Sequence, residues 1–165
     1  MKPKALLYEE RVTSPWTGLL FLALTLLFAF LLTLRQDARG WDGLAAALLA
    51  FALIFLFYTI NYRRLVIRIT PDGLILTFGV FRISVSFEDI SRCRLDNHLP
   101  ALLKYGGAGI HFMTVDNRYR ISFNFLEHPR LVIELKQKRG WVQDVSFATR
   151  QPDEIITIIT ARASL

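Results

Sequence analysis

Side chains that could carry out chemistry are few in this chain and lie far apart in the sequence. The histidines stand at positions 98, 111 and 128. None of them has metal-ligand spacing to Cys93 or to a carboxylate, so the sequence does not indicate a zinc site. Glu88 and Asp89 are adjacent, but acid–base catalysis needs two carboxyl groups in a pocket with separated pKa values. A solvated turn before a strand is the simpler interpretation of this pair.

Motifs for a serine nucleophile or a phosphate-binding loop do not occur in the sequence either. The serines at positions 84, 86, 91 and 122 lie in no G-x-S-x-G elbow. The glycines at positions 106, 107 and 109 are not followed by Lys-Ser or Lys-Thr, which excludes a P-loop and favours a sharp turn or close backbone packing. We therefore predict a protein that is not an enzyme and uses no metal, cofactor or small-molecule substrate.

Two apolar runs dominate the first sixty residues of the chain. They cover residues 17–34 and 43–60 and contain no charged side chain. A helix of about 20 apolar residues crosses the ~30 Å hydrocarbon core of a bilayer, so each run is predicted to span a membrane. The first run is too long for the apolar core of a signal peptide. Arg35, Gln36 and Asp37 follow it, where a signal peptide would have a small-residue cleavage site.

The short connection between the runs, residues 35–42, requires an antiparallel hairpin with both chain ends on one side. Basic residues are more numerous outside the hairpin than inside the connection: Lys2, Lys4, Arg11, Arg63, Arg64 and Arg68 against Arg35 and Arg39. The positive-inside rule then places both termini in the cytoplasm. The predicted organisation is a cytoplasmic segment at 1–15, a transmembrane hairpin at 16–62 and a cytoplasmic domain at 63–165.

Most of the net charge of +6 belongs to the predicted cytoplasmic domain, because residues 63–165 contain 15 basic and 10 acidic side chains. Such an excess is favourable beside an anionic inner leaflet. Nucleic-acid binding would need a clustered basic face or a known motif, and the sequence contains neither. The single cysteine excludes an internal disulfide bond and fits a reducing compartment.

Beyond residue 64 the apolar residues alternate with polar ones, which is the pattern of half-buried strands. Strands are predicted at 65–70, 74–79, 82–87, 90–98, 110–115, 120–125, 131–136 and 142–149, with 90–98 at a sheet edge. The start at Pro152, Asp153 and Glu154 favours a final helix, although the β-branched residues that follow leave a strand as the alternative. We expect about seven antiparallel strands capped by that helix.

The order of the motifs in this part resembles the bacterial pleckstrin-homology-like domain, particularly versions that carry two membrane helices. The motifs are ITPDGLILTFGVFRISVSFEDISRCR, YGGAGI, LVIEL and VSFATRQPDEI, and the resemblance covers about residues 8–163. It implies a membrane-anchored α+β protein of the bacterial inner membrane, with a seven-stranded antiparallel barrel closed by the C-terminal helix. The first hairpin loop, residues 71–73, carries an aspartate where inositide-binding relatives have basic residues, so inositide recognition by that loop is not expected.

Two basic segments are candidates for contact with lipid headgroups. Arg63, Arg64 and Arg68 follow the second apolar run, where they could instead serve only as topology determinants. Lys136, Lys138, Arg139 and Trp141 combine charge with an aromatic ring at a predicted hairpin tip, a composition that suits the membrane interface as well as an ordinary solvated turn.

Small residues in the apolar runs predict close helix packing within the membrane. They include Gly18, Ala23 and Ala29 in the first run and Ala46 and Ala50 in the second. The two helices could pack against each other through them, or against another membrane protein.

Two hypotheses for the function follow from these observations. The first is a non-catalytic accessory or assembly subunit, which presents a domain at the cytoplasmic face and binds a membrane protein partner or forms a homo-oligomer. The second is a module that senses anionic membrane lipid. The sequence favours the first.

Overall fold

The structure is a computed structural model that describes residues 6–96, 109–125 and 127–163. It divides into two compact units. The helical unit is Ser14–Arg64, and the β unit combines the chain before residue 14 with the chain from Leu65 onward. In chain order the elements are β1 (Tyr8–Val12), α1 (Pro15–Arg39), α2 (Gly43–Asn61), β2 (Leu65–Thr70), β3 (Gly73–Phe78), β4 (Phe81–Ser86), β5 (Ile90–Leu95), β6 (Gly109–Val115), β7 (Arg118–Asn124), β8 (Arg130–Arg139), β9 (Val142–Ala148) and α3 (Pro152–Ala163).

Both predicted spans are helices whose N-termini are capped by polar side chains. Ser14 Oγ accepts a hydrogen bond from the Thr17 backbone N–H at 3.1 Å, and Asp42 Oδ1 accepts one from Ala45 at 2.9 Å. Only 6% and 11% of their most apolar stretches are buried within the structure, so these helices expose apolar side chains almost all round. Both are long and apolar enough to cross a membrane.

Aromatic side chains form much of the contact between α1 and α2. Phe28 stacks on Phe55 with ring centroids 5.4 Å apart, and Phe21 lies 5.4 Å from Tyr58. The hydroxyl oxygens of Thr25 and Thr59 are 3.4 Å apart in the same interface. Large rings therefore make much of the contact within the helical hairpin, and the buried residues of α2 include Ala45 and Ala52.

The β unit contains two sheets. The first has the order β1-β2-β3-β4 with antiparallel pairing throughout, and the second has the order β5-β8-β9-β7-β6. The strand predictions from residue 65 onward are confirmed within about two residues at most ends, and β5 lies at a sheet edge as expected; positions 97 and 98 of the strand predicted at 90–98 lie outside the described residues. No strand was predicted in the N-terminal segment, whereas the structure has β1 there and pairs it with β2 in the β unit.

The predicted seven-stranded antiparallel barrel is wrong in two respects. The described residues form nine strands in two sheets that do not close into a barrel, and β7 pairs with β9 in parallel. The parallel pair follows from the chain path. β8 runs antiparallel to β7 two positions away in the sheet, and the tight β8–β9 hairpin returns β9 into the position between them. The alternation pattern identifies strands but carries no information on their neighbours.

The core of the β unit lies between the two sheets and beneath α3. The Phe78 ring, from the first sheet, lies 5.1 Å from that of Phe125, which follows β7. Ile155 and Ile159 bury the inner side of α3, which confirms the helix and excludes the alternative strand. Gly73 is required at the β2–β3 turn because a Cβ atom there would lie 2.1 Å from the Val85 carbonyl oxygen.

Candidate functional site

The first predicted lipid-contact segment divides between two environments. Arg63 and Arg64 are exposed in the turn that joins α2 to β2. Arg68 lies on β2, where its Nε atom is 2.9 Å from Glu9 Oε2. Arg11 is the second cationic partner of Glu9 at 2.8 Å, and the hydrogen bonds from Arg68 and Arg11 lower the pKa of the Glu9 carboxyl group. The charge of Arg68 is thus already compensated within the sheet.

The second predicted segment forms the β8–β9 hairpin and is exposed throughout. Lys136, Lys138 and Arg139 lie on the exposed end of β8, and the Trp141 side chain is 82% exposed in the turn. Gly140 adopts a φ of 64° in this turn, a conformation that favours glycine. The hairpin therefore presents the aromatic ring and three cationic side chains together.

Sequence reasoning missed the β3–β4 turn, which also exposes apolar side chains. Val80 is 71% exposed and Phe81 is 43% exposed, and the exposed Arg82 follows them. The signal was present as two apolar residues next to Gly79 in a turn. Its meaning depends on the sheet register, which the local pattern does not contain.

The register places this turn at a particular end of the first sheet. Val12, Leu65, Phe78 and Phe81 form one row across β1, β2, β3 and β4. The chain leaves this row toward α1 after Val12 and enters it from α2 before Leu65. The β3–β4 turn therefore lies at the end of the sheet where both connections to the helical unit are made.

The course of β8 brings the two turns to the same side of the β unit. Leu135 pairs with Ile90, at the start of β5, and four residues later the Arg139 guanidinium donates a hydrogen bond to the Ser84 carbonyl oxygen of β4. β8 therefore extends past the start of β5 and continues beside β4, and the end of β8 lies in the direction of Phe81. We call residues 79–82 and 136–141 together the two-hairpin surface.

A second group of charged residues is buried on one face of the five-stranded sheet. Arg120, Arg130, Asp96 and Asp144 are each at most 5% exposed. Asp96 Oδ2 lies 3.2 Å from Arg120 Nη1 and 3.7 Å from Arg130 Nη2, and Asp144 Oδ2 lies 3.5 Å from Arg120 Nη2. Asp144 also accepts a hydrogen bond from Arg118 Nε at 2.7 Å.

The buried group is arranged as alternating charges that neutralise one another across β5, β7, β8 and β9. Burial lowers the pKa of Arg130, while the Asp96 carboxylate opposes that effect. Removing one partner from such a group leaves an uncompensated charge away from water. We therefore assign these residues to the stability of the β unit rather than to binding.

The residues considered for catalysis are not brought together. His98 lies outside the described residues, and within those residues no group of three His, Cys, Asp or Glu side chains is placed to hold a metal. Glu88 and Asp89 are exposed in a 3₁₀ turn before β5, in agreement with the solvated turn that was expected. Burial raises the pKa of the Cys93 thiol to about 12, which disfavours the reactive thiolate.

The small residues of the apolar helices lie mostly outside the α1–α2 contact. Ala23, Ala29, Ala46 and Ala50 are exposed, and Gly18 is half-buried with open space where a Cβ atom would lie. Large rings occupy much of that interface, the buried residues of α2 include Ala45 and Ala52, and packing of α1 against α2 through the five predicted residues stays a prediction. Packing against another helix stays a prediction.

β1 is fixed to the segment before α3 by the buried carboxylate of Glu10. The Thr149 hydroxyl donates a hydrogen bond to Glu10 Oε2, the Arg150 backbone N–H donates to Oε1 at 2.8 Å, and the Tyr8 hydroxyl donates to Oε2 at 3.1 Å. This arrangement ties the strand that precedes α1 to the C-terminal part of the β unit.

In comparisons with known proteins, no family model, curated protein or solved structure matches the chain. The observed architecture is two long apolar helices packed together, followed by two sheets and a C-terminal helix. The resemblance to pleckstrin-homology-like domains accordingly rests on the order of sequence motifs alone.

Proposed function

We propose that this chain is a non-catalytic, two-span protein of the bacterial inner membrane. Both termini are cytoplasmic, and the β unit is a pleckstrin-homology-like interaction module that binds a membrane protein partner. The observation that carries the proposal is the double attachment of the β unit to the two apolar helices. The motif order described above supports the relation to pleckstrin-homology-like domains.

The two attachments are very short. β1 ends at Val12 and α1 begins at Pro15, while α2 ends at Asn61 and β2 begins at Leu65. β1 and β2 are neighbours in one sheet, so both connections leave from adjacent strands. A domain on two such connections stays at the bilayer surface, where partners embedded in the same membrane are at high effective concentration.

The outward position of the small residues supports a partner within the membrane. Ala46 and Ala50 are one turn apart on α2 and are exposed, away from the aromatic contact with α1. Small side chains on an outer face allow another helix to approach closely. The aromatic contact between α1 and α2 does not involve these two alanines.

The test is purification of the tagged full-length protein from its native membrane in mild detergent, with composition determined by mass spectrometry. We expect a fixed set of larger membrane proteins at constant ratio. The double variant Ala46→Leu/Ala50→Leu should reduce their recovery several-fold, because added side chains separate the helices. Leu44→Phe also enlarges an exposed side chain, but on the side of α2 away from both alanines, and is the control.

Recovery of the protein alone would contradict a subunit role. A pure homo-oligomer would change the partner to a second copy of the chain, and the same alanine variants would then test whether α2 forms that contact.

A further inference from the structure

The two-hairpin surface combines the two side-chain chemistries that suit the headgroup region of a bilayer. Val80, Phe81 and Trp141 are 71%, 43% and 82% exposed. The exposed cations beside them are Arg82, Lys136, Lys138 and Arg139. Apolar and aromatic groups favour the acyl boundary, and long basic side chains reach lipid phosphates.

The electrostatic character of this surface is uniform. Residues 79–86 and 135–143 contain no Asp or Glu. Arg63 and Arg64 add two exposed cations in the connection to α2. A surface with several cations and no carboxylate is complementary to an anionic lipid layer.

The sheet register shows at which end of the β unit these side chains lie. The β3–β4 turn lies beside the row Val12, Leu65, Phe78 and Phe81, from which both connections leave for the apolar helices. The tip of the β8–β9 hairpin leads toward the same end, as the hydrogen bond from Arg139 to Ser84 demonstrates. The surface therefore lies at the end of the β unit from which both connections leave.

We propose that the two-hairpin surface docks onto the anionic phospholipid of the membrane that the helices cross. Val80, Phe81 and Trp141 enter the interface, and Arg82, Lys136, Lys138 and Arg139 contact lipid phosphates. The inference rests on the proposed function, because it requires α1 and α2 to be membrane spans. The inference adds anionic lipid as a second class of partner. The turn at residues 71–73, at the opposite end of the first sheet, does not take part in this contact.

The test uses the full chain, since β1 belongs to the β unit and a fragment that starts at residue 65 would lack it. Trp16→Phe and Trp41→Phe leave Trp141 as the only tryptophan. This variant is reconstituted into phosphatidylcholine vesicles with brominated acyl chains, with or without phosphatidylglycerol. We expect several-fold stronger quenching of Trp141 in the anionic vesicles, and high salt should weaken it.

Two matched variants test the assignment of the surface. Lys136→Gln/Lys138→Gln should lower the quenching several-fold, whereas Arg92→Gln/Arg162→Gln removes the same charge from exposed positions elsewhere and should leave it unchanged. Val80→Ser/Phe81→Ser, at exposed positions, should also lower it.

Equal quenching in both lipids, or none, would overturn the proposal. Photo-crosslinking from position 141 to a protein in native membranes, without quenching in vesicles, would make the surface a protein interface instead. If the vesicle assay shows no docking but the membrane protein partner still co-purifies, the lipid-docking proposal is wrong and the proposed function stands. If the surface docks on anionic vesicles but no partner co-purifies, the partner-binding role is wrong and the lipid-docking proposal stands.

Discussion

The arginines of the β unit fall into two regions that differ in their surroundings. Arg120 and Arg130 are 3% and 5% exposed; Arg120 pairs with both Asp96 and Asp144, and Arg130 pairs with Asp96. Arg82 and Arg139 are exposed and lie in segments, residues 79–86 and 135–143, that contain no Asp or Glu. Burial and ion pairing therefore separate the arginines that stabilise the fold from those that are available for binding. Amino-acid composition alone does not separate them.

The largest difference should appear when each region loses one arginine. Arg120→Met leaves two buried carboxylates without their shared partner, so we expect the free energy of unfolding to fall by about 3–5 kcal/mol. Arg82→Met should change it by less than about 0.5 kcal/mol, because the position is an exposed surface site. Denaturant unfolding of the full-length protein in detergent, followed by the β-sheet signal in circular dichroism, measures both.

Equal stability losses for these two variants would contradict the division between structural and binding arginines. A loss at Arg120 that is restored when Asp96 and Asp144 are also replaced by apolar residues would sharpen it.

Two adjacent carboxylates of β1 repeat the comparison on a smaller scale. Glu10 is 9% exposed and accepts hydrogen bonds from Thr149, Arg150 and Tyr8, whereas Glu9 faces solvent beside Arg11 and Arg68. Glu10→Ala leaves buried donors unsatisfied and should lower the free energy of unfolding by about 1–3 kcal/mol. Glu9→Ala is the matched control and should leave it nearly unchanged. Thermal unfolding of both variants, monitored together, decides the outcome.

The same pair explains why β1 could not be predicted. Its sequence, YEERV, has three charged residues in five and lacks the alternation that identified the later strands. The strand is stabilised by pairing with β2, more than fifty residues away, and by the hydrogen bonds of Glu10 to residues 149 and 150. Neither contact leaves a local signal.

Where local signals exist, the prediction was good. The period-two pattern identified LVIRIT as the strand Leu65–Thr70, and Pro152 with two acidic residues marked the start of α3. The order of strands and the parallel pair of β7 with β9 depend on long-range pairing and were not predictable. Only the β8–β9 half of the two-hairpin surface was predicted, because Lys136 and Trp141 combine charge with an aromatic ring in one segment. The position of Phe81 beside it depends on the sheet register and could not be predicted.

Burial also controls the reactivity of Cys93, on β5. Burial raises the pKa of its thiol to about 12, so at pH 8 we expect alkylation of the folded protein to be much slower than that of the same thiol in the unfolded chain. Because the raised pKa favours the neutral thiol, its contribution to stability is complete below the ordinary thiol pKa and is lost as the pH rises toward 12. Iodoacetamide labelling followed by mass spectrometry, with and without denaturant, measures the ratio. Rapid labelling of the folded protein would show that the thiol is not protected.

The smallest effect concerns Arg68, which the sequence grouped with the exposed Arg63 and Arg64. Because Arg68 pairs with Glu9 at 2.9 Å, Arg68→Gln removes a compensated charge and leaves Glu9 paired with Arg11. Lys138→Gln removes a cation from the two-hairpin surface, which has no carboxylate of its own. In the vesicle assay, Lys138→Gln should weaken Trp141 quenching more than Arg68→Gln, and the difference should vanish at high salt because both effects are electrostatic. An equal loss for the two would place Arg68 in the lipid contact and extend the surface across β2.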